Sequence, residues 1–125
     1  MAEFEIHSDL AANRLYIRLV GFFREAEVGP VMDGLNAELD KLKPDFDIVM
    51  DISKFKPSSP KAAEALRIGG EMVKNRGRRR AVRVTGGIVA GFLQFKRLLS
   101  GVFEEDESVR YATSIVEADA ILDNW

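Results

Sequence analysis

The chain has 125 residues, of which 46% are hydrophobic, and this size and composition are typical of a single globular domain spanning residues 1–125. It has no cysteine and one histidine, His7, which excludes disulfides, cysteine nucleophiles, thiolate metal sites and multi-histidine metal sites. The net charge of −2 excludes a strong overall attraction to nucleic acid or to an anionic membrane.

The amino-terminal residues and the hydropathy pattern predict a cytoplasmic location. The chain starts Met-Ala-Glu-Phe-Glu-Ile-His, which has neither the basic region nor the apolar region of a signal peptide. No apolar run approaches the ~20 residues that would span a bilayer. No integral membrane segment is therefore expected.

The first elements are predicted to be two antiparallel strands. Apolar and polar side chains alternate over residues 4–6 and again over residues 15–19, which is typical of half-buried strands. The link between them is short and contains Asn13, a residue that turns favour. These features together predict a hairpin.

An amphipathic helix and a central strand are predicted to follow the hairpin. Apolar side chains recur at steps of three and four residues, at Val28, Met32, Leu35, Leu39 and Leu42. Because Gly29 and Pro30 would lie in the first turns, the helix is expected to start near Pro30 or to be irregular before it, and Pro44 is expected to end it. Residues 46–52 are short and apolar, as in a strand buried on both faces.

Helices and strands alternate through the second half of the chain. Ser59-Pro60 is a favourable helix start, Gly77 is a favourable stop, and Gly69-Gly70 between them is expected to permit close packing. The remaining predicted elements are a strand over 80–85, a helix over 88–99, a strand over 109–113 and a terminal helix capped by Ser114. The order β-β-α-β-α-β-α-β-α predicts an α/β fold with one mixed, mostly parallel five-stranded sheet and about four helices.

Several local sequences, in this order and spacing, resemble the STAS family, which is named for sulfate transporters and anti-sigma factor antagonists. They occupy residues 15–21, 46–55, 58–59, 69–73, 95–99 and 109–120. The resemblance covers nearly the whole chain. It implies a STAS-like fold and a non-enzymatic regulatory module that binds a protein partner.

The resemblance also implies a site at the start of the second helix. In the anti-sigma factor antagonists of this family, a serine or threonine there is phosphorylated by a partner kinase, which abolishes binding. Ser58 and Ser59 occupy this position and are the candidate phosphorylation or partner-binding residues, with a kinase or an anti-sigma-like regulator as the partner. The family motif reads Asp-Ser-Ser-Gly, whereas Pro57 and Pro60 flank the serines here. Helix capping alone also explains Ser59-Pro60, so capping and phosphorylation remain alternatives.

The predicted helix over 88–99 is apolar on more than one face, so part of its surface needs a partner. Phe92, Phe95 and Phe103 are the candidates to line a groove, a pocket or a homodimer contact. This surplus supports an alternative function, a carrier or sensor of a lipid-like or other small apolar ligand.

The other polar features favour no chemistry. Asp47 and Asp51 would share one strand face without a neighbouring base or metal ligand, so solvation or loop capping is expected. The basic run over 74–83 lacks interleaved aromatic residues and is expected to be solvated surface, and His7 is expected to be exposed. No catalytic residue, metal site, cofactor or nucleic-acid partner is therefore predicted.

Overall fold

A computed structural model describes residues 2–57, 60–85 and 107–125 of the chain. Its elements in chain order are β1 (Glu3–Asp9), β2 (Arg14–Phe23), α1 (Glu25–Leu39), β3 (Phe46–Pro57), α2 (Pro60–Asn75), β4 (Arg78–Val84), β5 (Val109–Ala112) and α3 (Ile115–Asp123). The helix predicted over 88–99 lies outside the described residues. No helix among the described residues is long and apolar enough to cross a membrane.

The five described strands form one sheet in the order β1-β2-β3-β4-β5. β1 pairs antiparallel with β2, while β2, β3, β4 and β5 run parallel to one another. The predicted mixed, mostly parallel five-stranded sheet is therefore confirmed, with β3 at its centre. The predicted turn residue Asn13 has a φ of 53°, the left-handed conformation that asparagine tolerates well.

The two faces of the sheet are covered by different helices. The connections through α1 and α2 advance the sheet in the same direction, so right-handed crossovers place both helices on one face, here named the two-helix face. Its buried side chains include Leu15, Leu19, Leu35, Phe55 and Leu66. α3 packs on the opposite face, here named the α3 face, against a smaller cluster that contains Val49, Val82, Ala112, Ala118 and Leu122.

α1 and α2 approach each other closely at Gly69, as the glycine pair predicted. A β-carbon added to Gly69 would lie 3.0 Å from the Sδ atom of Met32 in α1. A side chain at position 69 would therefore crowd Met32 where α2 packs against α1.

The boundaries of α1 differ from the predicted ones at both ends. The helix begins at Glu25, because the N–H of Arg24 donates to the Glu27 carboxylate at 2.8 Å and Pro30 is accommodated within the following turns. It ends at Leu39 and not at Pro44. Beyond Leu39 the backbone turns more tightly, since the N–H groups of Lys41 and Leu42 donate to the carbonyls of Glu38 and Leu39, three residues back. Asn13 holds the segment that follows, because its Oδ1 accepts the N–H of Lys43 at 2.9 Å.

The expectation that Asp47 is solvated is wrong, and so is the expectation that the basic run is only solvated surface. Asp47 is 3% exposed. Its Oδ2 accepts hydrogen bonds from Nη2 of Arg80 at 2.7 Å and from Nη2 of Arg79 at 3.1 Å. A β-bulge explains this double contact, because Phe46 pairs with Arg78 while Asp47 pairs with Arg80, which leaves Arg79 as the extra residue. Burial disfavours the carboxylate, but the hydrogen bonds from Arg80 and Arg79 outweigh it and hold the pKa of Asp47 below its usual value.

The variant Asp47→Asn is expected to lower the free energy of unfolding at pH 7 by roughly 3–5 kcal/mol, because it leaves two guanidinium groups without their carboxylate. The folded-state pKa of Asp47 lies below the unfolded one, so its contribution is complete above the unfolded pKa and is lost as the pH falls through the folded pKa. The difference between the two proteins should therefore narrow below about pH 4. Urea unfolding between pH 7 and pH 3 measures it. The exposed Asp33→Asn is the control, and an equal effect of both variants would contradict the role of Asp47.

Candidate functional site

The residues predicted as functional lie outside the part of the chain that the structure describes. This holds for Ser58 and Ser59 and for Phe92, Phe95 and Phe103. The neighbours of the two serines are described, however. Pro57 is the last residue of β3 and Pro60 is the first residue of α2, so the predicted start of this helix is confirmed. The homodimer contact stays a prediction.

The carboxyl edge of the sheet brings the starts of α1 and α2 together. β2 and β3 are parallel, and Phe23 at the end of β2 pairs with Pro57 at the end of β3. α1 begins two residues after β2, at Glu25, and α2 begins at Pro60. Along the chain, Ser58 and Ser59 therefore come between the end of β3 and the start of α2, and both of these elements border the start of α1.

An exposed aromatic side chain stands at this edge. Phe22 is 52% exposed, whereas its neighbour Phe23 is fully buried in the core. The alternation of β2 explains the difference, because Phe23 points to the two-helix face and Phe22 to the α3 face. Lys56 pairs with Phe22 across the strands, and its Nζ lies 5.4 Å from the centre of the Phe22 ring.

Cationic side chains also stand at this edge, and that of Lys56 contacts the Phe22 ring. Arg24, Lys56 and Lys61 are exposed, and Nζ of Lys61 lies 4.0 Å from a carboxylate oxygen of the exposed Glu25. An exposed pair at this distance contributes little energy and is easily exchanged for another partner. We call Phe22, Arg24, Lys56 and Lys61 the α2-start surface. It combines an apolar contact with positive charge at the amino-terminal end of a helix, where anions are favoured.

A second polar cluster has a structural role, since it joins α3 to β2. Oδ1 of Asp119 accepts hydrogen bonds from the hydroxyl of Tyr16 at 2.6 Å and from Nη1 of Arg14 at 3.0 Å. Nη2 of Arg14 donates a hydrogen bond to Asp123 at 3.1 Å. Burial, and then the hydrogen bond to Asp119, raise the pKa of Tyr16, so its hydroxyl keeps its proton. His7 is exposed, as predicted, and stacks on Tyr16 with ring centres 4.9 Å apart. Within the described ranges, no group of three or more histidine, aspartate and glutamate residues could hold a metal ion.

Similarity to known proteins is found in the three-dimensional structure. No protein-family model matches the chain, and no curated protein sequence matches it. The structure of the anti-sigma factor antagonist SpoIIAA in its unphosphorylated form matches with a TM-score of 0.60 and 13% identity, over 98% of both chains. The phosphorylated form of SpoIIAA, a Bacillus cell fate determinant, matches with a TM-score of 0.57 and 10% identity, over 95% of this chain and 99% of that one.

The chain has the STAS fold. The resemblance found in the sequence is therefore confirmed at the level of the fold. In the STAS fold of this chain, the α2-start surface lies where the sequence resemblance implies the regulatory serine. Phe22 and Lys56 were missed by the sequence analysis. The alternation of β2 could have identified Phe22, because it lies on the same side of the strand as Arg14, Tyr16 and Arg18.

Two neighbouring phenylalanines test whether Phe22 is a surface residue without a role in folding. Phe23→Ala should lower the free energy of unfolding by roughly 3–5 kcal/mol, because it leaves a cavity in the core. Phe22→Ala should lower it by less than about 1 kcal/mol, because it removes only an exposed ring and its contact with Lys56. Chemical denaturation compares the two. A large loss of stability in Phe22→Ala would contradict the assignment.

Proposed function

We propose that this protein is a non-catalytic regulatory module that binds a protein partner through the α2-start surface. We further propose that a partner kinase phosphorylates Ser58 or Ser59 and thereby weakens this binding. The observation that carries the proposal is the exposed Phe22 with its cationic neighbours beside the start of α2. The STAS fold supports it, because a matching structure is an anti-sigma factor antagonist known in phosphorylated and unphosphorylated forms. In this proposal the module acts in the cytoplasm and needs no cofactor.

The charges of the α2-start surface suggest how phosphorylation would act. A phosphoryl group adds about −1.5 to −2 charges at pH 7. At Ser58 or Ser59 it would enter a surface that carries Arg24, Lys56 and Lys61 and would pair with one or more of them. The same cations would then no longer be available to the partner. Pro60 is compatible with this role, because the first N–H groups of a helix have no partner within the helix and proline fits the first helical position.

Partner binding should depend on Phe22, which we expect to act as an aromatic anchor. The tagged protein is purified from the cells that produce it, and co-purifying proteins are quantified by mass spectrometry. At least one of them should be depleted by about tenfold or more in Phe22→Ala. Phe4→Ala is the matched control, because Phe4 is 38% exposed on β1, at the other side of the sheet. The same protein should be retained by this control, and a partner that tolerates Phe22→Ala would contradict the proposed surface.

Phosphorylation should be confined to the serines before α2. Protein isolated from its own cells is separated by intact mass, and the phosphorylated residue is identified by fragmentation. The double variant Ser58→Ala, Ser59→Ala should lose the phosphorylated form, whereas Ser53→Ala, on the exposed side of β3, should keep it. Partner binding should also fall by about tenfold or more in Ser58→Asp, Ser59→Asp, since the added charges compete for the same lysines. Full binding by the aspartate variant would argue against the switch.

A second candidate function is the binding of a small apolar ligand. The observation that favours it is a cavity of about 140 Å³ between the two-helix face of the sheet and helices α1 and α2. A cavity of this kind is the usual location of a small-molecule site. The described residues that line it differ from the predicted Phe92, Phe95 and Phe103, which lie outside the described residues.

A further inference from the structure

The cavity on the two-helix face is largely apolar. Side chains of β2, β3, β4, α1 and α2 line it, among them Leu19, Met50, Leu66 and Ala81. Gly69 and Gly70 of α2 also border it, so the backbone of this helix forms part of the wall without side chains filling the space. An apolar cavity of about 150 Å³ is large enough to bind benzene. At about 140 Å³, this cavity matches a single small ring or a short branched chain and is too small for a long acyl chain.

Of the two charged side chains of β4 that line the cavity, Arg78 and Arg83, the second is the more buried. Arg83 of β4 is 7% exposed, and the alternation of the strand directs it to the same face as Ala81. Its position beside Tyr111 of β5 is defined, because Nη1 donates to the Tyr111 hydroxyl at 3.2 Å and the guanidinium lies 5.9 Å from the ring centre. A guanidinium keeps its charge at any ordinary pH and presents several N–H donors in a rigid plane.

The other charged residues at the cavity are mainly cationic. Of the described residues, Arg67, Lys74 and Arg78 border it together with the carboxylate of Glu71. Arg67 is engaged with Glu64 and Glu71 on the exposed side of α2, at 2.6 Å and 2.5 Å. Among the described residues that line the apolar space, cationic side chains outnumber carboxylates, and the most buried of these charged groups is Arg83.

We propose that this cavity binds a small amphipathic anion, a carboxylate attached to an apolar body of about the size of a benzene ring, with the carboxylate on Arg83. The inference rests on the second candidate function and names the class of ligand for that site. Apolar walls favour the body of such a molecule through the area that they remove from water. The guanidinium supplies the polar contact that fixes its orientation, since two of its N–H groups match the two oxygens of a carboxylate. A neutral ligand would use the walls and leave Arg83 without this contact.

Three probes that share a benzene ring and differ in charge test the inference on the unmodified protein. Benzoate, benzene and benzylammonium are titrated into the full chain, and binding is followed by heteronuclear NMR. Benzoate is expected to bind about 10- to 100-fold more tightly than benzene, because charge-assisted hydrogen bonds contribute energy of this order. Benzylammonium is expected to bind more weakly than benzene, because it brings a second positive charge to Arg83.

Two arginine variants locate the contact. Arg83→Met keeps an unbranched, apolar stem and removes the charge, so it should abolish the preference for benzoate over benzene while benzene binding changes by less than about threefold. Arg110→Met is the matched control, because Arg110 is exposed and its guanidinium stacks on Trp125 of the opposite face at 4.0 Å. It should bind all three probes as the unmodified protein does. Ala81→Leu, which fills the cavity, should weaken benzoate and benzene together.

Each outcome of the titrations decides between the ideas. Equal binding of benzoate and benzene would overturn the anion and leave a carrier of neutral apolar ligands. Binding of none of the probes would overturn the small-ligand function itself, together with this inference. A benzoate preference that survives Arg83→Met or disappears in Arg110→Met would place the anion elsewhere on the surface. If Arg83→Met does not fold, the order of the three probes on the unmodified protein and on Ala81→Leu still tests the proposal.

Discussion

The parallel pairing of β2 with β3 is the constraint on which the rest of this structure depends. Because the two strands run in the same direction, α1 must cross from the end of β2 to the start of β3, and α2 must do the same for β3 and β4. Both helices consequently lie on one face, and both begin at the same edge of the sheet. The register that pairs Phe23 with Pro57 then brings the end of β3 beside the start of α1.

Charge is distributed differently at the two edges of the sheet. At the amino edge, buried Asp47 pairs with Arg79 and Arg80, and Arg14 links β2 to the acidic side chains of α3. These cations are used within the fold. At the carboxyl edge, Lys56 and Lys61 are exposed and make only a ring contact and one distant pair with a carboxylate among the contacts described. An anionic partner or a phosphoryl group can therefore bind at the carboxyl edge without breaking contacts that hold the fold together.

α2 connects the two proposed sites. Its first residue, Pro60, follows the serine loop, and its buried face, including Leu66 and Gly69, lines the cavity. Gly69 also leaves room for the Met32 side chain of α1 where the two helices meet. A ligand in the cavity and a partner at the α2-start surface would thus contact the same helix.

Local patterns in the sequence were sufficient to predict the described elements and their order. Alternation of apolar residues defined β2, Ser59-Pro60 marked the start of α2, and Gly77, with a φ of 106°, ended the turn after it. The predictions of α1 were less accurate at its ends. Its start depends on the contact of Arg24 with Glu27, and it ends in a tighter turn over residues 40–42 that the apolar periodicity did not indicate.

Contacts between residues that are distant in the sequence depend on the tertiary structure. The sequence around Asp47 predicted a solvated carboxylate. In the structure, a bulge in β4 places Arg79 and Arg80 against it, although they lie 32 and 33 residues away in the chain. Phe22 and Lys56 are in contact because of the register of two parallel strands. Arg83 lines a cavity that exists because α1 and α2 pack on the sheet. Residue patterns along the chain determine periodicity and therefore secondary structure, whereas the surroundings of a charge depend on pairing register and packing, which the local sequence does not contain.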